Sequence, residues 1–403
     1  MKYTLILFLF YFGWVGCHPK PVQKPVKPIP TKPEDSVVLW KIPLFQDTAP
    51  RDLIHFDMLL NSHNQLVYSL GTQGNPYNYE TLRCIDVKTR EVIWEWTGSA
   101  LQSWEVIGDL AYINQGRIHD CLNLLTGDVI WHNSHENISG EPFSSHYKDL
   151  IFSMQDYGSS QEPNRTDFRI ANIHAGDWQI IFTSQRNAEG YSGSVQAPTA
   201  YIDSLGDTIL VFQDRRYGMQ LNPWYKIELK AYNLTQRKMV WENFNISNEV
   251  SNIVNPPRID EAKKRVYFYT DETAFCFDLE TGAEIWKVDS GLGGNLGGSY
   301  FLHDGKLMTI NDGGMFMALD EETGTILFSE KQGGCCVENA KIYGDRIYFT
   351  DSEIFIADVN TGKRTWKYWG IGDFRGGVAV DEANKVMYAS TDYFLYCLKL
   401  PEY

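Results

Sequence analysis

The sequence is poor in the patterns from which most active sites are built. Its nine histidines are scattered over 403 residues, with no H-E-x-x-H and no paired spacing. It has no G-x-S-x-G elbow, no P-loop and no cysteine set at zinc-binding spacing. Such motifs recur because a metal needs ligands on one face of an element, a serine nucleophile needs a strained turn, and a phosphate needs converging backbone N–H groups. Without them, the usual sequence grounds for a zinc peptidase, a serine hydrolase or a P-loop NTPase are missing. Basic charge is also short: 36 Lys and Arg stand against 51 Asp and Glu, a net charge of −15. A surface of that sign repels a phosphate backbone, so no nucleic-acid partner is expected. The apolar run at 3–15 falls short of the roughly 20 residues that a helix needs to cross a bilayer.

What is present begins at the N-terminus. Met1 and Lys2 give a positive start, an apolar stretch follows, and Gly16 precedes Cys17. This is the order of a secretory signal. A small residue directly before a cysteine, at the end of an apolar stretch, resembles the bacterial lipobox; Trp14 stands where that family usually carries Leu. The resemblance implies that residues 1–16 are a cleaved signal and that Cys17 is lipidated. Residues 17–35 are then a tether. Their HPKPVQKPVKPIPTKP stretch (18–33) has φ fixed and backbone donors removed at each proline, which favours polyproline II. At about 3.1 Å per residue it reaches roughly 50 Å. Residues 36–403 are the folded domain; with 43% hydrophobic and 14% aromatic residues in the whole chain, material for a core is ample.

One short pattern recurs through that domain. It reads LRCIDVKTREVIWEW at 82–96, HDCLNLLTGDVIWHN at 119–133, LKAYNLTQRKMVWEN at 229–243 and AFCFDLETGAEIWKV at 274–288. Further copies are MFMALDEETGTILFS at 315–329 and IFIADVNTGKRTWKY at 354–368, with a degenerate one, FRIANIHAGDWQIIF, at 168–182. Alternating apolar and polar residues give a half-buried strand. Asp or Asn opens a tight turn, Gly supplies positive φ, and a second strand returns carrying Trp. Another strand lies upstream of each copy (QLVYSL, RVYFYT, KLMTI, RIYFT), and a short one precedes that. Four strands at a period of roughly 40 residues predict a propeller blade.

Seven blades are complete in sequence. The last start, GGVAVDEANKVMYAS at 376–390, is followed by DYFLYCLKL at 392–400 and lacks a Trp strand. The missing strand is at the other end, as VVLWKI at 37–42. The prediction is an all-β, eight-bladed β-propeller of four-stranded antiparallel blades. Its ring is closed by the N-terminal strand pairing with the C-terminal blade, the segment around Trp40 against the strand holding Cys397. Closure removes the edges that an open arc would expose.

These repeats resemble the PQQ-like, quinoprotein-type family, whose motif is Ala-x-Asp-x-x-Thr-Gly-x-x-x-Trp, over nearly all of residues 37–400. The resemblance identifies a scaffold, and one scaffold hosts several functions. Quinoprotein dehydrogenases of this fold carry a vicinal disulfide beside their cofactor, which draws attention to the adjacent Cys335 and Cys336. Those enzymes also need a calcium cluster, an Asp base and stacked aromatic walls, and the surrounding GGCCVENA does not extend the match. Two packed thiols or a structural vicinal disulfide is the expectation, with no cofactor; PQQ with calcium is the alternative. Cys84, Cys121, Cys276 and Cys397 take one repeat position and are expected to be small buried thiols.

Three second-to-third-strand connections are long and share one face. Residues 71–80 carry Tyr77 and Tyr79, and 156–165 carry Tyr157 and Arg165. Residues 215–225 carry Arg215, Arg216, Tyr217, Trp224 and Tyr225. Long loops on a rigid scaffold concentrate function, and Arg, Trp and Tyr are common interface anchors. The expectation is a non-catalytic scaffold that binds a protein partner in the cell envelope, with the lipid as its only membrane attachment. Its architecture is similar to that of the propeller lipoproteins of the outer-membrane barrel-assembly machine. A carbohydrate or small-molecule binder and a quinoprotein oxidoreductase are the alternatives.

Overall fold

The recurring turn sets the geometry of each blade. In blade 1 the Asp86 carboxylate accepts the backbone N–H groups of Lys88 (2.7 Å) and Thr89 (2.8 Å). Asp278, Asp320 and Asp358 repeat the arrangement, and Asn123 does so with its amide oxygen. These donors, Thr89 first, hold Asp86 below the usual carboxylate range. The N–H of the turn glycine then closes back on the carbonyl of the opening residue, as from Gly282 to Asp278 at 2.9 Å. The Asp-x-x-Thr-Gly spacing is therefore one hydrogen-bonded loop that turns the third strand into the fourth.

The structure is a computed structural model. It describes residues 37–402 apart from 45–57, 72–78, 102, 116–117, 135–144, 160–161, 186–189, 191, 218–224, 248–255, 271–272, 290–299, 311–313, 333–339, 375–376 and 392. The described residues lie in one compact unit, Ser36–Tyr403, and form eight four-stranded antiparallel sheets. Blades 1 to 7 span 58–101, 103–134, 145–185, 192–247, 258–289, 300–331 and 341–368, each with its strands in sequence order. Blade 8 takes three strands from 379–399 and its fourth from Val38–Pro43. The closing register puts Trp40 directly opposite Cys397. The chain is an eight-bladed propeller resembling the PQQ-like repeat architecture, closed as the sequence predicts.

Eight clusters of buried apolar side chains hold the ring, and each lies at a seam between consecutive blades. Val67, Leu82 and Trp94 of blade 1 pack with Ala111, Ile113 and Leu124 of blade 2. Equivalent clusters occupy the other seams around to blade 8 against blade 1, where Leu395 and Cys397 meet Leu66 and Tyr68. The core is thus a circle of interfaces, as expected where no repeat can bury its apolar face alone.

The repeat Trp locks these seams. The Trp94 indole donates to the Leu124 carbonyl in the turn of blade 2, at 2.8 Å. Trp131 donates to Ile173, Trp241 to Leu279 (3.0 Å) and Trp286 to Glu321 (3.2 Å), each in the turn of the following blade. The ring lies on the glycine of that turn: a Cβ added at Gly127, at φ +76°, would meet Trp94 at 2.7 Å. Two turns carry arginine at the glycine position, one after a blade without the Trp and one against the closing Trp itself. Arg237 (φ 54°) closes the turn of blade 4, the blade that follows the one whose Trp position is filled by Ile181 and Phe182. Arg90 (φ 67°) sits over the closing Trp40, 5.7 Å from its ring.

Across each pair of strands, the residue opposite the Trp is Cys84, Cys121, Ala231, Cys276, Ile356 or Cys397. The four cysteines are free and buried. Burial pushes their thiols up, to about 12 for Cys84 and Cys276 and about 11 for Cys121 and Cys397. They are packing residues, protonated and shielded, as the repeat position suggests. Cys17, Cys335 and Cys336 lie outside the described residues.

Candidate functional site

Blades 3 and 4 differ from the rest at the end of the second-to-third-strand connection. In blade 5 the second strand is Arg265–Tyr269, whereas in blade 4 it runs Thr208–Tyr217 and its partner runs Tyr225–Asn233. Blade 3 pairs Leu150–Ser159 with Glu162–Asn172. All are anchored alike at the Asp or Asn turn, with Ile209 opposite Asn233 where Arg265 is opposite Asp278. The additional four or five residues therefore continue past the other end of the blade, by roughly 15 Å at about 3.3 Å per residue.

This corrects two of the connections expected from sequence. Residues 156–159 and 162–165 are paired strand, and only 160–161 lie between them. Residues 215–217 are likewise strand, held by Ser192–Ile202 on one side and by Tyr225–Asn233 on the other. Arg215 and Arg216, expected on an exposed loop, are only 4% and 8% exposed. The first connection is shorter than expected too, since Gly71 and Tyr79 already pair with each other. Tyr79, Tyr157, Tyr217 and Tyr225 are placed on strands. Their side chains lie outside the described set, as do residues Tyr77 and Trp224 altogether.

The charges buried in the projection form one network. The register sets Asp214 opposite Glu228 and Arg216 opposite Lys226, like charge against like. Such pairs repel, and the diagonals relieve them. Arg216 donates to Asp214 (2.6 Å) and to Glu228 (3.1 Å). Lys230 donates to Asp214 at 2.7 Å and lies 3.0 Å from Glu228. Arg216 also reaches the Gln185 carbonyl of blade 3 at 2.9 Å, and Ser184 donates to Asp214 at 2.9 Å. Gly193 fits into this seam; a Cβ there would meet Ser184, Arg216 and Asp214. One step further, Arg165 forks onto the buried Asp167 through two bonds of 2.7 Å, and Thr183 donates to the same carboxylate at 2.8 Å. Thr166 bonds the Gly193 carbonyl across the seam at 2.9 Å.

Of the arginines singled out from sequence, then, Arg215 and Arg216 sit inside the projection, while Arg165 is half-exposed on it. The side chains that sequence reasoning missed are Asp167, Asp214, Glu228 and Lys230. Their signal was there: R-x-D at 165–167, D-x-R at 214–216 and E-x-K at 228–230 put opposite charges two residues apart, on one face of a strand.

Comparison with known proteins agrees with this architecture. The family model described as outer membrane protein assembly factor BamB matches residues 270–379. No curated protein sequence matches the chain. Among solved structures, BamB from Moraxella catarrhalis is 13% identical and superposes with a TM-score of 0.60, covering 90% of this chain and 99% of its own. A europium-containing methanol dehydrogenase is 11% identical with a TM-score of 0.62, covering 87% and 84%. The computationally designed Ika8 protein is 12% identical with a TM-score of 0.61, covering 87% and 98%. At these identities the likeness is one of fold.

Proposed function

We propose that the chain is a lipid-anchored scaffold of the bacterial envelope, holding a protein partner on the face where blades 3 and 4 project and serving outer-membrane assembly without catalysis of its own. The observation that carries this reading is the projection itself, two adjoining hairpins stiffened by buried ion pairs. Removing charges from water costs several kcal/mol per ion, so such a cluster is a poor stabiliser and a good way to fix one shape. A shape fixed in this way suits recognition, because little freedom is lost on binding.

In this reading Arg215 and Arg216 set the shape. Contact falls to Arg165 and to the aromatic residues Tyr157, Tyr217, Trp224 and Tyr225, joined by Tyr77 and Tyr79. The likeness to BamB and to the outer membrane protein assembly factor family supports the compartment. Cys17 supplies the anchor, and residues 17–35 let the propeller stand off the outer membrane.

The test is crosslinked capture from intact envelopes. A chain carrying Tyr217→Ala and Trp224→Ala should keep the wild-type circular dichroism spectrum and melting temperature, yet lose most of the crosslinked partner. Capture undiminished in the folded variant would refute this face as the binding site. Cys17→Ser should move the protein from the membrane to the soluble fraction; continued membrane residence would refute the anchor.

A further inference from the structure

The opposite ends of the blades carry a feature that the scaffold reading does not use. There, the first-to-second-strand turns of blades 6 and 7 lie side by side. Asp304 and Gly305, both at positive φ, join Tyr300–His303 to Lys306–Ile310. Gly344 and Asp345 join Lys341–Tyr343 to Arg346–Asp351. Ligand atoms of His303, Asp304 and Asp345 all fall within 4.8 Å of one another.

Two observations set this cluster apart from an ordinary acidic surface. Other histidines face a single carboxylate: His132 with Asp120, His146 with Glu105, and His174 with Asp149 at 3.8 Å. Among the described residues, His303 is where a second carboxylate converges. In addition, its Nε2 is shielded from water and has no hydrogen-bond partner among the described residues, although Asp304 Oδ2 lies 3.4 Å away. A buried nitrogen in that state is costly unless something else satisfies it. Lys306, on the same hairpin, donates its ammonium to Asn360 Oδ1 at 3.1 Å and to the Asp304 backbone carbonyl at 3.5 Å, an amide and a carbonyl oxygen.

We propose that His303, Asp304 and Asp345 bind a divalent transition-metal ion of the zinc class across the seam between blades 6 and 7. One imidazole nitrogen and two carboxylate oxygens are a borderline donor set with room for water as a fourth ligand. The imidazole argues against calcium and magnesium, which take oxygen donors. Both aspartates are exposed, so an ion enters from solvent without opening the blade. Once bound, it adds a link between the two turns to the apolar seam beneath them and the Lys306–Asn360 bond beside them, and so stabilises the folded ring by linkage.

The test is calorimetric titration of zinc chloride into the chelator-treated, full-length protein. One ion per chain is expected. His303→Ala and Asp345→Asn should each weaken binding at least about tenfold while leaving the circular dichroism spectrum unchanged. Asp304→Asn, which tolerates the left-handed turn, should do the same. His174→Ala, at an exposed histidine with one carboxylate, should bind as wild type does. Wild-type protein that takes up no stoichiometric zinc, or variants at 303 and 345 that keep wild-type affinity, would overturn the site. Calcium binding as tight as zinc binding would overturn its assignment to the zinc class.

Discussion

Two glycines with left-handed backbones separate the cost of conformation from the cost of contact. Gly127 (φ +76°) lies against Trp94, whereas Gly206 (φ +87°) has nothing within 4 Å of where a Cβ would be. Alanine at 206 should cost about 1–2 kcal/mol, the penalty of the backbone conformation alone. Alanine at 127 should cost about 1–3 kcal/mol more, because its methyl must displace an indole that is also bonded to the Leu124 carbonyl. Urea unfolding of both variants checks the difference, and equal losses would mean that the Trp–Gly contact adds nothing. This contact was half legible in the sequence. Trp and Gly recur at fixed spacing, but spacing within one repeat does not say that Trp serves the glycine of the next one. The exceptions point both ways: blade 3 has Ile181 and Phe182 for Trp and the next turn has Arg237 for Gly, yet Trp40 faces Arg90 and Phe328 faces Gly362.

Among the elements, the projecting hairpins separate ion pairs that matter from those that do not. The Lys230 side chain is 4% exposed and stands between Asp214 and Glu228. Lys230→Met should destabilise the protein by about 3–5 kcal/mol, since two carboxylates opposite each other in the register lose a shared counterion. Lys264 and Glu280 also pair, at 2.6 Å, but more than half of each side chain faces solvent. Lys264→Met should leave the unfolding midpoint where it is. Thermal melts at low and high salt distinguish the two, and a melt of the 230 variant that coincides with wild type would refute the role given to the cluster. This element was the part of the site least legible in advance. The segment QDRRYG looks like a polar turn because charges seldom enter paired strands; diagonal contacts between Thr208–Tyr217 and Tyr225–Asn233, with bonds from Ser184 and to Gln185 of blade 3, make Asp214 and Arg216 tolerable there. Where a strand is a short run of β-branched and aromatic residues, as in Arg265–Tyr269, its assignment followed directly from the residues.

At the scale of the whole molecule, the eighth sheet is, among the described residues, the one assembled from distant parts of the chain. Its fourth strand, Val38–Pro43, pairs with Phe394–Lys399 from the other end. Removing residues 1–44 should bare the edge of that last strand and take away Trp40 and Leu44 from the seam with blade 1. The truncated chain should melt several degrees lower and self-associate, as unprotected edges do. A synthetic peptide spanning 37–44 should reverse both effects in part. Light scattering and calorimetry check this, and an unaltered monomer with an unaltered melt would show that the strand is dispensable. The closure was legible because a Trp strand without a blade at one end matched a blade without a Trp strand at the other.

That arrangement also decides how the molecule bears mechanical load. A pull entering the chain ahead of Val38 meets, as its first resistance, the register from Val38 opposite Leu398 to Pro43 opposite Phe394. The seven other sheets are each made from one continuous stretch of chain, so a pull on the N-terminal segment does not peel a strand from any of them first. The seal of the circle is therefore its mechanical fuse, and the force that strips this strand away sets the tension up to which the propeller stays whole.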